Sequence, residues 1–181
     1  MSRPDADGPR GGYSVSTLRE RTGDPMEFKN PLLAVADMER SVTFYRQVLG
    51  LEKCMDLGAN VTLSGGVCLQ TRESWAEFIE VPAEELDWQG KVSELYFEEA
   101  DFDAFLQKLK QLEIRYVHPP KEHSWGQRVV RFYDPDGHII EVGESIAAVC
   151  RRFADSGMTA EQIAKRMDVP LEFVTGSGQE I

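Results

Sequence analysis

The chain has 181 residues, 41% hydrophobic and 28% charged, which is enough apolar material for one buried core with additions at its ends. Its net charge is −11, and residues 26–144 hold 22 acidic against 12 basic side chains, a surface that repels phosphate backbones and anionic headgroups and so excludes nucleic acid and membrane as partners. Three widely spaced cysteines without a CxxC pair, no apolar run near the roughly 20 residues that cross a bilayer, and no apolar signal segment predict a reduced, cytoplasmic protein.

Residues 1–25, rich in Gly, Pro, Ser and Arg, read as a flexible leader. The apolar segment Asn30-Pro-Leu-Leu-Ala-Val-Ala then runs as a strand into a helix whose start is marked by Asp37, a good N-cap. Met38, Val42, Tyr45 and Leu49 recur at helical spacing, and Gly50 stops the helix. Strand-like runs follow at Leu51–Met55, Asn60–Leu63 and Val67–Thr71, divided by glycines at 58, 65 and 66.

The same grammar returns from Glu94. Glu94-Leu-Tyr-Phe-Glu-Glu-Ala leads into a helix capped by Asp101 and running to Leu112, so that Ala100-Asp101 repeats Ala36-Asp37. Further strands are predicted at Ile114–Val117, Gln127–Tyr133 and His138–Val142, the last two joined by the turn Asp134-Pro-Asp-Gly137. Each half is therefore βαβββ. Two such units predict an α+β fold in which paired modules form a curved, partly closed mixed sheet with helices outside and a ligand site on the concave side. From Ser145 to the C-terminus the pattern is helical, with Thr159 capping a short helix. Its few basic residues argue against a DNA-binding helix-turn-helix and for an appendage that covers the domain or a partner chain.

Four passages resemble the vicinal oxygen chelate superfamily, which includes glyoxalase I, extradiol dioxygenases and the bleomycin and fosfomycin resistance proteins. They are Leu33-Ala-Val-Ala-Asp37, Ser41-Val-Thr-Phe-Tyr45 through Val48-Leu-Gly-Leu51, Trp125-Gly-Gln-Arg-Val-Val-Arg-Phe132, and Asp134-Pro-Asp-Gly-His-Ile-Ile-Glu141. The order and spacing of the four carry the resemblance. It implies a glyoxalase-like domain over residues 26–144, between the leader and an appendage at 145–181. It also implies a small-molecule ligand, a homodimer, and metal ligands on the first and last strand of each half. Aligning the halves puts those ligands at Asn30, Gln70, Glu94 and Glu141. An all-oxygen set suits Mg²⁺, Mn²⁺, Ca²⁺ or Ni²⁺ better than zinc or iron, and a site without metal is the other reading. The three histidines, His118, His123 and His138, fall at no ligand position, which disfavours extradiol cleavage.

The implied activity is metal-assisted proton transfer or lyase chemistry on a small carbonyl or thiol-adduct substrate, with Glu141 and Glu94 as ligands or bases. The alternative is a metal-free binding or resistance protein using the same cavity. Glu141 is otherwise a carboxylate ion-paired to Arg128 or Arg131, and Glu94 carries the same choice. Arg128 and Arg131, three apart on one strand, face opposite ways, so one of them points into the cavity, toward substrate or toward Glu94 or Glu98. His118 and His123 flank Pro119-Pro120 in a predicted loop, as an acid-base lid or as solvated side chains. Tyr96 and Trp125 complete the candidate substrate contacts. Trp75 lines either the pocket wall or the core, and Cys68 reads as a small hydrophobe.

Overall fold

Asp37 accepts a hydrogen bond from the Arg40 backbone N–H and opens helix α1 (Met38–Leu49), while Gly50, at φ 71°, closes it. The computed structural model describes residues 28–88 and 91–176, so the predicted leader lies outside the described residues. Around α1, strands β1 (Leu32–Val35), β2 (Lys53–Asp56), β3 (Asn60–Leu63) and β4 (Cys68–Thr71) form one sheet in the order β1-β4-β3-β2. A short helix unforeseen in the sequence, α2 (Arg72–Phe78), follows β4 directly, capped by Thr71.

The second half repeats the plan with β5 (Glu94–Glu99), α3 (Phe102–Leu109), β6 (Tyr116–Glu122), β7 (Arg128–Tyr133) and β8 (Ile139–Glu144), ordered β5-β8-β7-β6. In each sheet the first and last strands are parallel neighbours and the remaining pairs are antiparallel. The expected α+β fold of paired βαβββ modules is borne out. The two mixed sheets stay separate and do not close into a barrel.

One strand differs from its prediction. β6 runs through His118, Pro119 and Pro120, where a loop was expected. Its register against β7 shifts on both sides of His118, because the two prolines offer no N–H to the ladder and an edge strand tolerates the gap.

Both halves contribute to one core. Val35, Val61, Leu63 and Leu69 from the first sheet, Tyr45 and Val48 from α1, Phe102, Phe105 and Leu109 from α3, and Val130, Phe132, Ile140 and Val142 from the second sheet form a single buried cluster. Phe44 of α1 lies 6.3 Å from Phe132 of β7, and Lys108 of α3 donates to the Val48 carbonyl. The helix-covered faces of the two sheets thus meet each other, and their open faces look away from the shared core.

The Asp134–Gly137 turn fastens the halves together. Buried Tyr45 donates its hydroxyl to Asp134 at 3.0 Å, while Asp136 accepts from the Ala36 N–H and the Ser41 hydroxyl and pairs with Arg40 and Arg72. Burial, followed by the charge and hydrogen bond of Asp134, pushes the Tyr45 hydroxyl well above its ordinary pKa.

Beyond β8 the chain forms α4 (Ile146–Asp155), α5 (Ala160–Met167) and α6 (Leu171–Gly176), which share a small core of Val149, Cys150, Phe153, Ile163 and Met167. Thr159 caps α5 in a reciprocal box with Gln162. No helix among the described residues is long and apolar enough to cross a membrane.

Candidate functional site

Strand alternation divides each sheet into a helix-covered face and an open one. In the second half, Leu95 and Phe97 of β5 pack on the core, so Glu94, Tyr96 and Glu98 take the open face. Ile140 and Val142 turn Glu141 outward in the same way, and Val130 and Phe132 do so for Arg131. Cross-strand register then places Glu141 between Tyr96 on one side and Arg131 on the other.

The result is a compact ionic cluster. The Arg131 guanidinium donates through Nε and Nη2 to both Glu94 oxygens, at 2.8 and 3.3 Å, and Nη2 also contacts Glu141 Oε2. Its Nη1 has His118 Nε2 as a neighbour at 3.5 Å. Glu141 is 5% exposed, whereas the Glu94 side chain keeps 35% of its surface. This difference separates the two carboxyls. Burial, reinforced by the neighbouring Glu94, raises the Glu141 carboxyl to about 7 despite Arg131 and Lys121. The hydrogen bond from Arg131 outweighs a smaller burial effect at Glu94 and holds its carboxyl below the usual range. Glu94 is thus the charged partner of Arg131, and Glu141 holds a proton that it can lose near neutrality.

A wall of aromatic and amide groups adjoins the cluster. Gln127 donates to the Tyr96 hydroxyl and to the Glu144 carbonyl, both at 2.9 Å, and the Tyr96 hydroxyl donates to Glu98. Burial pushes the Tyr96 hydroxyl up to about 12; the bond from Gln127 acts against that rise and Glu98 adds to it. Gly143 makes this approach possible, since a Cβ there would stand 2.8 Å from the Gln127 amide and 3.1 Å from the Tyr96 oxygen. Trp125 bonds Gln127 and stacks on His123 with centroids 4.1 Å apart. Burial, then the neighbouring charges of Lys121 and Arg131, lower the His123 pKa.

The C-terminal helices hold this wall in place. Arg152 of α4 pairs with Glu144 and donates to the Gly126 carbonyl at 2.6 Å; Arg166 of α5 reaches the Ser124 carbonyl, and both arginines pair with Glu122. Gly126, at φ +97°, passes under the Phe153 ring so closely that a Cβ would lie 2.3 Å from it.

Arg128 belongs to the opposite face. It pairs with Glu144 and Asp103 and lies over the Phe102 ring, so it does not join the substrate contacts expected of it. Alternation in the sequence required one arginine to face each way, and the register assigns Arg131 to the site.

In the first half, β1 and β4 pair so that Leu32 sits opposite Cys68 and Ala34 opposite Gln70. When β1 is superposed on β5 through the Ala-Asp repeat, Asn30 matches Glu94, but Cys68 rather than Gln70 matches Glu141. Thr62, the β3 partner of Cys68, matches Arg131. These three also touch: the Asn30 amide and the Thr62 hydroxyl both approach the buried Cys68 sulfur. Gln70 lies one pleat further along, where the second half has Gly143, and its amide donates to Ser74 of α2 at 2.9 Å. Within one chain the structure therefore brings Glu94 and Glu141 together, and it leaves Asn30 and Gln70 on the other sheet. Cys68 and Thr62 were missed as site positions because only the strand register reveals them.

The expected divalent metal does not fit the second-half cluster. The Arg131 guanidinium contacts both Glu94 and Glu141, so a dication held by this pair would face a fixed cation. Among the described residues, no group of three or more His, Cys, Asp or Glu side chains is placed to hold a metal ion.

Comparison with known proteins matches these features. The glyoxalase-like domain family matches residues 28–147. The glutathione transferase FosA of Serratia marcescens is 32% identical over 133 residues, covering 70% of this chain and 89% of that protein. A protein of unknown function from Agrobacterium tumefaciens is 41% identical, with a TM-score of 0.63 over 69% of this chain and 98% of its own. Lactoylglutathione lyase from Agrobacterium tumefaciens is 26% identical, with a TM-score of 0.51, over 67% of this chain and 96% of its own. With two βαβββ halves and this family match over most of its length, the chain belongs to the glyoxalase-like family of the vicinal oxygen chelate superfamily.

Proposed function

We propose that this protein acts on a small carbonyl or thiol-adduct substrate by moving a proton through Glu141, with Arg131 as the fixed cation of the site. The carrying observation is the Glu94–Arg131–Glu141 cluster, in which a buried carboxyl held near pH 7 stands beside a guanidinium. A base of that pKa takes a proton alpha to a carbonyl at neutral pH and returns it without a large mismatch. Nη1 of Arg131, engaged among the described residues by a long contact to His118, supplies a donor for the oxygen on which negative charge then appears. The names of two relatives, a glutathione transferase and a lactoylglutathione lyase, support a thiol-adduct substrate.

A second reading is a binding or resistance protein that sequesters an aromatic or cationic molecule. It draws on the Trp125–His123 stack and on Tyr96, which is 49% exposed beside Glu94 and Glu98. In both readings a second copy of the chain covers the open face, as the family resemblance implies, and among the described residues β1 and β5 leave the outer edges of their sheets unpaired for such a contact. The free cysteines and acidic surface support a reducing cytoplasmic setting.

The test is a turnover screen with carbonyl compounds and their thiol adducts, run on wild type and Glu141→Gln. Turnover lost in the variant while ligand binding persists supports proton transfer. Binding without turnover in either protein supports sequestration. Mn²⁺, Ni²⁺ or Mg²⁺ should leave the melting temperature unchanged, and protein purified without chelator should carry less than about 0.1 equivalent of divalent metal. A metal-dependent rise in melting temperature would overturn the role given to Arg131.

A further inference from the structure

Where the two halves join lies a cavity of about 530 Å³ that shares no residue with the Glu94–Glu141 cluster. Its lining includes four cations, Arg40, Arg72, Lys91 and Arg115, and one carboxylate, Asp136. The chain as a whole carries −11, so this concentration of positive charge runs against its surroundings. Asp136 does not neutralise it. That carboxylate already accepts from the Ala36 N–H at 2.9 Å and the Ser41 hydroxyl at 3.1 Å, and it pairs with both Arg40 and Arg72.

The other two cations have no carboxylate among the described residues. Arg115 rests on the Tyr133 ring at 4.4 Å and Lys91 lies 5.9 Å from the same ring. Arg72, itself held over Trp88 at 4.9 Å, leaves its buried Nε–H without an acceptor among the described residues. A buried, unmatched donor of a charged group is costly, and an incoming anion would satisfy it while pairing with the exposed cations Arg115 and Lys91 beside it.

We propose that this junction cavity is a second binding site, for a small oxyanion of two or more charges. Guanidinium forks match the paired oxygens of phosphate and carboxylate alike, and the ammonium of Lys91 adds a movable charge at the edge. The shared chemistry is therefore a multiply charged oxyanion, supplied by a phosphate ester or by a dicarboxylate. Because the cavity draws on α1, the start of α2 and the Asp134–Gly137 turn, an anion bound there bridges the two halves and stabilises their junction.

Calorimetric titration of the full chain with inorganic pyrophosphate, and separately with malonate, tests this at ionic strength held constant with NaCl. Saturable one-site binding is expected, weakened at least about tenfold in Arg115→Gln/Lys91→Gln, since each charge-assisted bond contributes on that scale. Neither replaced side chain has a carboxylate partner among the described residues, so the variant should keep the wild-type melting temperature; Arg115→Glu serves as a second variant and should abolish binding. Tighter binding of pyrophosphate assigns the site to phosphate compounds, and tighter binding of malonate to dicarboxylates. Heats equal to the NaCl control, or binding unchanged in both variants, would overturn the proposal.

Discussion

The two halves share a backbone plan and differ in what they place on it. At three equivalent positions of the open face, the first half has Asn30, Thr62 and Cys68, and the second has Glu94, Arg131 and Glu141. The neutral trio forms a quiet hydrogen-bonded patch around a thiol. The charged trio forms a cluster whose buried carboxyl changes protonation near pH 7. Duplication preserves the frame because core and caps enforce it, whereas a trio outside the shared apolar core is free to diverge. Chemistry is thus expected from the second sheet, with the first as scaffold or as cover for a second copy's site.

The largest effect that would break this comparison is kinetic. Glu141→Gln should lower turnover by about 100-fold or more, as removal of a general base does. Cys68→Ser at the matching position should stay within about threefold of wild type, as expected of a group outside the proton path. Equal losses in steady-state assays would show that both sheets take part.

Next in size is the removal of the built-in cation. Arg131→Met leaves the Glu94–Glu141 pair without its counter-charge and should destabilise the fold by about 3 kcal/mol at pH 8. The loss should shrink at pH 5, where the carboxyls take up protons. Its counterpart Thr62→Val should cost under about 1 kcal/mol, measured by urea denaturation.

A smaller change probes a support that only the second half possesses. Gly126→Ala meets both a left-handed backbone and the Phe153 ring, and should cost about 2 kcal/mol while loosening the His123–Trp125 wall. Protease sensitivity of residues 145–176 should rise with it.

The pH dependence of stability sharpens the contrast last. Burial opposes ionisation of Asp134 and Glu144, but His138 at the former, and Arg152 with Arg128 at the latter, hold both carboxyls below their ordinary values. Their contribution is present above the unfolded pKa values of about 4 and is lost as pH falls through the lower folded ones. Glu141 has the opposite sign. Its folded carboxyl keeps a proton up to about pH 7, so its contribution is complete below the unfolded value and fades as pH rises toward 7. Glu141→Gln should flatten the decline between about pH 5 and 7 and leave the acid limb unchanged.

The sequence disclosed most of the frame, because caps and turns act locally. Asp37, Gly50, Asp101 and the Asp134–Gly137 turn mark boundaries that the structure reproduces within a few residues. Alternation correctly set Glu94 and Tyr96 against Leu95 and Phe97. What stayed hidden depends on register between distant strands. Counting back from the Ala-Asp repeat located Asn30, but nothing local says that Cys68, rather than Gln70, faces it. The choice between Arg128 and Arg131 was undecidable for the same reason, as was the grip of Arg152 and Arg166 on a loop some 26 to 42 residues away. Helix α2 escaped notice because its seven residues carry too little periodicity to register.

The Tyr45–Asp134 and Ser41–Asp136 bonds bear on how the molecule behaves when cut. Each joins a first-half helix to a second-half turn inside the common interior. A chain severed between the modules should remain one particle, as two fragments that separate only in denaturant. Either fragment made alone would expose a polar socket built for the other, so the smallest unit able to fold is the duplicated pair.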